Sequence, residues 1–262
     1  PRRNICRGAR MSTVLELAGV SKSFGGLKVI DDVSFAVPKG SRTALIGPNG
    51  AGKSTVFNLI SGVYPIDTGR ISALGQDITH MSVAHRVAHG LARSFQNIRL
   101  MPHLSTVENV MLGEHHLSSP WSLARGDRAS ERARAALADA GLGTYPGQVV
   151  ADLPYGIQKR IEVVRAIMAQ PQILLLDEPA AGLNHVETEE LRHLLERLSE
   201  RGITLLVVEH DMPFVRTLCN HVVVLNFGKK IFEGTPEAVH RDPGVLEAYL
   251  GTPTPAGGDH AA

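Results

Sequence analysis

Gly47-Pro48-Asn49-Gly50-Ala51-Gly52-Lys53-Ser54-Thr55 decides how the rest of this 262-residue chain is read. It fits G-x-x-x-x-G-K-[ST], the loop that wraps the phosphates of a nucleoside triphosphate. Thr43-Ala44-Leu45-Ile46 before it reads as a buried strand. Val56-Phe57-Asn58-Leu59-Ile60 after it reads as a helix closed by Gly62. A chance glycine-rich turn would not need that strand–loop–helix setting. The glycines let backbone N–H groups turn toward an anion that a Cβ would crowd, and the helix dipole faces the β-phosphate. Lys53 adds a full charge between the β- and γ-phosphates, and Ser54 offers its hydroxyl to Mg²⁺.

Outward from this loop, composition narrows the classes. With 43% hydrophobic and 20% charged residues, the chain suits one sizeable domain, and its formal net charge of +1 gives no broad basic face for nucleic acid. Two cysteines, Cys6 and Cys219, make no disulfide framework and suggest a reducing compartment. The apolar runs Ile173–Leu176 and Leu205–Val208 are too short to span a bilayer, so any membrane role is expected to go through a partner. Residues 1–12 read as a disordered tail, of which the first ten, with four arginines, stand upstream of a natural start at Met11. Residues 252–262, rich in Pro, Gly, Thr and Ala, read as another.

The fold class this predicts for residues 13–251 is α/β. Val14–Leu17, Val33–Val37 and two short strands around Gly75 form antiparallel pieces on either side of the phosphate loop. Ala44–Ile46, Ile173–Leu176 and Leu205–Val208 form a mostly parallel core. A helical subdomain at about residues 97–165 is inserted between them, with Trp121 inside it, a helix over Glu131–Ala140 stopped by Gly141, and a closing helix over Ile157–Gln170. Ile157, Ile161, Val164 and Met168 share one apolar face of that closing helix, a pattern core packing explains.

Chemistry-bearing residues fall at the strand ends. Asp177 ends a buried strand, beside the phosphate loop, where it can hold Mg²⁺ through its waters. Glu178 can orient or deprotonate an attacking water. His210 ends the next apolar strand and can donate to the γ-phosphate. Phe24, in Ser23-Phe24-Gly25-Gly26, is either an adenine-stacking aromatic or an ordinary turn residue. Glu114-His115-His116, and the pair His85 and His89, lack the further ligands a zinc site needs.

In order and spacing these residues resemble the ATP-binding cassette (ABC) family over essentially all of Val14–Gly251. The resemblance implies a P-loop NTPase of ABC type binding ATP and Mg²⁺. It marks Gln96 as the coupling glutamine, facing both metal and γ-phosphate. Leu153-Pro154-Tyr155-Gly156-Ile157-Gln158-Lys159-Arg160 stands where the signature sequence belongs, and Ala181-Gly182-Leu183-Asn184 is the loop after the carboxylates. It further implies a head-to-tail dimer in which Tyr155 and Gly156 of one subunit offer N–H groups to the other's nucleotide. Three departures stand out: Pro154 replaces a usual serine, Ile157 a usual glutamine and Asn184 a usual aspartate. A P-loop kinase or GTPase would share the phosphate loop without the other elements. A soluble ABC protein of translation or repair is the other class, although this chain shows one phosphate loop and no sustained heptad.

Leu-Pro-Tyr-Gly (153–156), Glu-Pro-Ala-Ala-Gly-Leu-Asn (178–184), Val-Glu-His-Asp-Met (208–212) and the ending Ala248-Tyr249-Leu250-Gly251 look like one branch. They resemble the ATP-binding subunit of importers for branched-chain amino acids; the urea-importer and lipopolysaccharide-exporter ATPases share much of the pattern. This implies a second ATPase subunit, two membrane permeases gripped near Arg99–His116, a solute-binding protein, and a place at the cytoplasmic face of the membrane.

Overall fold

Two sheets with a helix between them organise the computed structural model, which describes residues 12–94, 98–117 and 126–250. β1 (Thr13–Phe24) lies between β2 (Leu27–Pro38) and β4 (Thr68–Ala73), with β5 (Gln76–Asp77) beyond β4, and every pairing is antiparallel. The second sheet runs β10-β9-β3-β8-β7-β6. Within it β3 (Arg42–Ile46), β6 (Leu91–Arg93), β7 (Ile173–Asp177), β8 (Thr204–Val208) and β9 (His221–Asn226) are parallel. Only β10 (Lys229–Gly234) runs against its neighbour.

The central strands are apolar on both faces because each face has its own cover. Leu174, Leu176, Leu205, Val207, Val222 and Val224 point into one core with the larger helices. Leu175, Leu206, Val208, Val223 and Leu225 point into a second, shared with the antiparallel sheet and α1 (Lys53–Ser61). Val56, Phe57, Leu59 and Ile60 of α1 are fully buried there. Gly62 ends that helix in the left-handed region, φ 81°. Beneath it Arg86 of α2 (Val83–Ala88) is 2% exposed and donates to the carbonyls of Leu59 (2.6 Å), Ile60 (2.7 Å), Thr79 (3.0 Å) and Met81 (3.0 Å). A cation there satisfies the orphan carbonyls of the helix end and meets its negative dipole.

Between β6 and β7 lie α3 (Thr106–Met111), α4 (Gly126–Asp139) and α5 (Tyr155–Ile167). Ser105 and Glu108 start α3 with a reciprocal capping box. Ile161, Val164 and Met168 are buried and Ile157 partly so, as their spacing predicts, and they join the larger core. Gly141, φ 73°, follows α4. The remaining helices are α6 (His185–Glu200), α7 (Met212–Leu218), α8 (Pro236–Val239) and α9 (Pro243–Leu250).

Two readings need correction in extent. The strands at 14–17 and 33–37 are parts of twelve-residue strands whose bulges, with Gly19 and Asp32 at φ 62° and 55°, break the alternation. The closing helix runs Tyr155–Ile167 instead of 157–170, with Pro154 as its N-cap. Gln96, Trp121 and, apart from Ser12, both tails lie outside the described residues.

Candidate active site

The phosphate loop joins β3 to α1 at the C-terminal edge of the parallel strands, where the strands on either side end at Val208 and Asn226. Gly47, Gly50 and Gly52 take φ of 151°, 80° and 101°. The protein itself crowds two of them. A Cβ on Gly47 would lie 2.1 Å from the Leu225 carbonyl oxygen, and one on Gly52 would lie 2.6 Å from Ile30 Cδ1. At Gly50 the space is open and only the backbone conformation demands glycine. The β9–β10 turn clamps the loop: Gly228 N–H donates to Ala51 O at 3.0 Å. Asn49 and Gly50 are exposed, and Pro48 is half-buried. No side chain caps α1, so the N–H groups of Lys53, Ser54 and Thr55 point to the loop's concave side as a helix N-terminus presents them.

Lys53 is 7% exposed, and its Nζ donates to the carbonyls of Gly47 (2.7 Å) and Pro48 (2.9 Å). Burial lowers its pKa, while the nearby carboxylates of Glu178 and Asp177 pull the other way. The structure thus brings the lysine and both acids of the sequence reading into one electrostatic cluster.

Asp177 closes β7 and is 5% exposed. Its Oδ2 accepts from Arg93 Nη2 at 2.7 Å; Arg93 also donates to Asn58 Oδ1 (2.7 Å) and Ser61 Oγ (3.1 Å). The other oxygen, Oδ1, is buried without a hydrogen-bond partner. A buried carboxylate oxygen left so costs about 1–3 kcal/mol, which a cation with its water shell relieves. With the exposed hydroxyl of Ser54 this is an all-oxygen donor pair, and it fits Mg²⁺.

Glu178 adopts φ 44°, uncommon outside glycine, and its N–H donates to Val208 O at 2.9 Å. That bond continues the ladder with β8 one residue past Asp177, and the strained φ there is of a kind characteristic of functional positions. His210 follows β8, with a side chain 63% exposed.

Tyr155 and Gly156 begin α5, whose N-cap Pro154 contributes no side-chain hydrogen bond. Gly156 packs against the Glu187 side chain, where a Cβ would lie 2.5 Å from Glu187 Cδ; the Tyr155 ring covers Gly182. Asn184 caps α6 in a capping box with Glu187, both bonds at 3.0 Å, so at this terminus it does what an aspartate would. Lys159 is 3% exposed beneath the Tyr155 ring, and burial lowers its pKa against Glu162, Glu209, Glu178 and Asp177. Glu162 and Arg165 of α5 pin the backbone of Arg99: its N–H donates to Glu162 Oε1 (3.3 Å), and its carbonyl accepts from Arg165 Nη1 (2.6 Å).

Phe24 ends β1 with its ring 39% exposed, edge-on to Tyr64 at 5.2 Å and with Lys22 Nζ 5.4 Å from its centroid. Tyr64 had no signal of its own in the sequence. His85 Nδ1 bonds Ser82 Oγ (2.8 Å) and His89 Nε2 bonds Ala73 O (2.9 Å), so local hydrogen bonds engage both histidines. Arg93, Arg86 and Glu209 also escaped the sequence reading. No helix among the described residues is long and apolar enough to cross a membrane.

The model of the family "ABC transporter" matches residues 30–181, and that of "Branched-chain amino acid ATP-binding cassette transporter" matches residues 229–253. The high-affinity branched-chain amino acid transport ATP-binding protein BraF of Pseudomonas aeruginosa is 39% identical, over 91% of this chain and 98% of that protein. The ADP conformation of an ATP-binding cassette of an ABC transporter superposes with a TM-score of 0.84 at 31% identity, covering 92% of this chain and 100% of the other. A dimeric cassette in a post-hydrolysis state, bound to ADP and Pi, gives 0.75 at 25% identity over 85% of this chain and 98% of the other.

Proposed function

Because the chain belongs to the ABC transporter family, we propose that it is the ATP-hydrolysing subunit of an importer for branched-chain or related amino acids. The match of residues 229–253 to the branched-chain amino acid model carries the solute assignment. In this reading it sits at the cytoplasmic face of a membrane on two permease subunits, fed by a solute-binding protein and paired with a second ATPase subunit.

Gly47, Pro48, Asn49, Gly50, Ala51, Gly52, Lys53, Ser54 and Thr55 wrap the phosphates of ATP, and Phe24 stacks on its adenine. Ser54 and Asp177 would hold Mg²⁺, together with Gln96, which the family resemblance marks for that role. Bound there, Mg²⁺ would supply positive charge against the charge that develops in phosphoryl transfer. Glu178 orients the attacking water and takes its proton, and His210 donates to the γ-phosphate. The loop and α1 supply donors from one side only. Transferring a phosphoryl group needs donors around all its equatorial oxygens, and the facing subunit supplies the rest from Tyr155 and Gly156 at its α5 N-terminus. ATP then closes the pair and hydrolysis reopens it, a population shift set by differential affinity. Because α5 grips Arg99 through Glu162 and Arg165, movement of that helix reaches the segment placed against the permeases.

The test is ATPase activity of the reconstituted complex, with permeases and binding protein, across a panel of solutes. Leucine, isoleucine or valine is expected to stimulate turnover. Stimulation by urea alone, or by no amino acid, removes the solute assignment.

A further inference from the structure

One buried acid beside the site has no part in the mechanism above. Glu209 lies between the fully buried Val208 and the exposed His210, and is itself 1% exposed. Its Oε1 accepts from the Ala180 N–H at 2.9 Å, in the turn that follows Glu178. Its Oε2 accepts from the His210 N–H at 3.2 Å and lies 3.9 Å from His210 Nδ1. Burial raises the pKa of this group, and the backbone donors Ala180 and His210 oppose that shift. Ala181 N–H closes the turn onto the Glu178 carbonyl at 3.2 Å. One carboxylate therefore spans two loops, one carrying the base and the other the histidine.

A hydroxyl at this position would reach one loop. An ionised carboxylate holds donors from both, through charge-assisted hydrogen bonds. We propose that Glu209 is a positioning residue that locks the loop of His210 to the loop of Glu178, so that the two act on one γ-phosphate in fixed register. This rests on the roles given above to His210 and Glu178.

The test is a double-mutant cycle on the full chain, with steady-state ATPase as readout. Glu209→Gln keeps the shape but turns one acceptor into a donor that faces backbone N–H groups. It is expected to lower kcat on the order of tenfold, to leave KM for ATP within about twofold, and to cause no further loss in a His210→Ala background. Glu209→Asp keeps the charge on a shorter arm that cannot span both loops, and should show the same non-additivity; it serves if the glutamine variant does not fold. Independent, multiplying losses with a defective His210→Ala overturn the proposal alone, as does a raised KM with kcat preserved. A fully active His210→Ala overturns both the proposal and the role of His210.

Discussion

Replacing Arg93 by methionine removes the cation from a nearly dry pocket. The side chains of Arg93 and Asp177 are 11% and 6% exposed, so solvent screening takes little from their 2.7 Å ion pair. The substitution also takes a donor from Asn58 Oδ1 and Ser61 Oγ. The attraction itself is not the main quantity, since desolvation offsets much of it; the cost comes from leaving the Asp177 charge buried without its partner, about 3–5 kcal/mol. In a domain of this size each kcal/mol moves the melting temperature by about 2–4 °C, so Arg93→Met should melt about 6–20 °C lower. Adding Asp177→Leu to the same chain removes the orphaned charge and should recover most of that loss while abolishing ATP hydrolysis. Differential scanning calorimetry of the three variants reads the first effect, and phosphate release reads the second. A single variant melting within 2 °C of the parent, or a double variant no more stable than the single, would refute this account of how Asp177 is held.

Glu178→Gln should retain ATP binding, measured with a fluorescent analogue, while hydrolysis slows by about 10²–10⁴; near-normal turnover would reject Glu178 as the base. Pro154→Ser puts a side-chain acceptor at an N-cap that lacks one. It should raise stability by about 1 kcal/mol in urea titration, and a loss of ATPase with that gain would show that proline serves the trans contact. Burial lowers the pKa of His221, with Glu233 pulling the other way. The unfolded chain takes up that proton near its ordinary pKa of about 6.5 while the folded chain resists. Stability should thus fall as pH drops from 7 toward 5, and His221→Gln should flatten that part of the profile; an unchanged slope would remove His221 as its source.

Much of the site was legible because its signals are local. The phosphate loop, with its strand before and helix after, is one uninterrupted segment, and Asp177 ends a run that is buried on both faces. β9 carries a like buried run at Val222–Leu225 but was not singled out in the sequence. Arg86 and Arg93 were not legible, since an arginine in sequence reads as a surface residue. Two of the carbonyls that Arg86 satisfies lie on α1, beyond β4 and β5, and Asp177 lies beyond the whole helical insertion from Arg93. Glu209 looked like one more polar residue after a strand; only the folded position of Ala180 shows that its two oxygens serve different loops. The glycines of the phosphate loop were explained by room for phosphate, whereas at Gly47 and Gly52 the neighbouring strands already exclude a side chain.

The proposed function needs a reaction centre divided between two chains. The direct measurement is a structure of the assembled transporter carrying Glu178→Gln, trapped with MgATP. It should show the N–H groups of Tyr155 and Gly156 from this subunit against the γ-phosphate held by the facing one. A nucleotide-loaded assembly with both residues remote from every phosphate would contradict it.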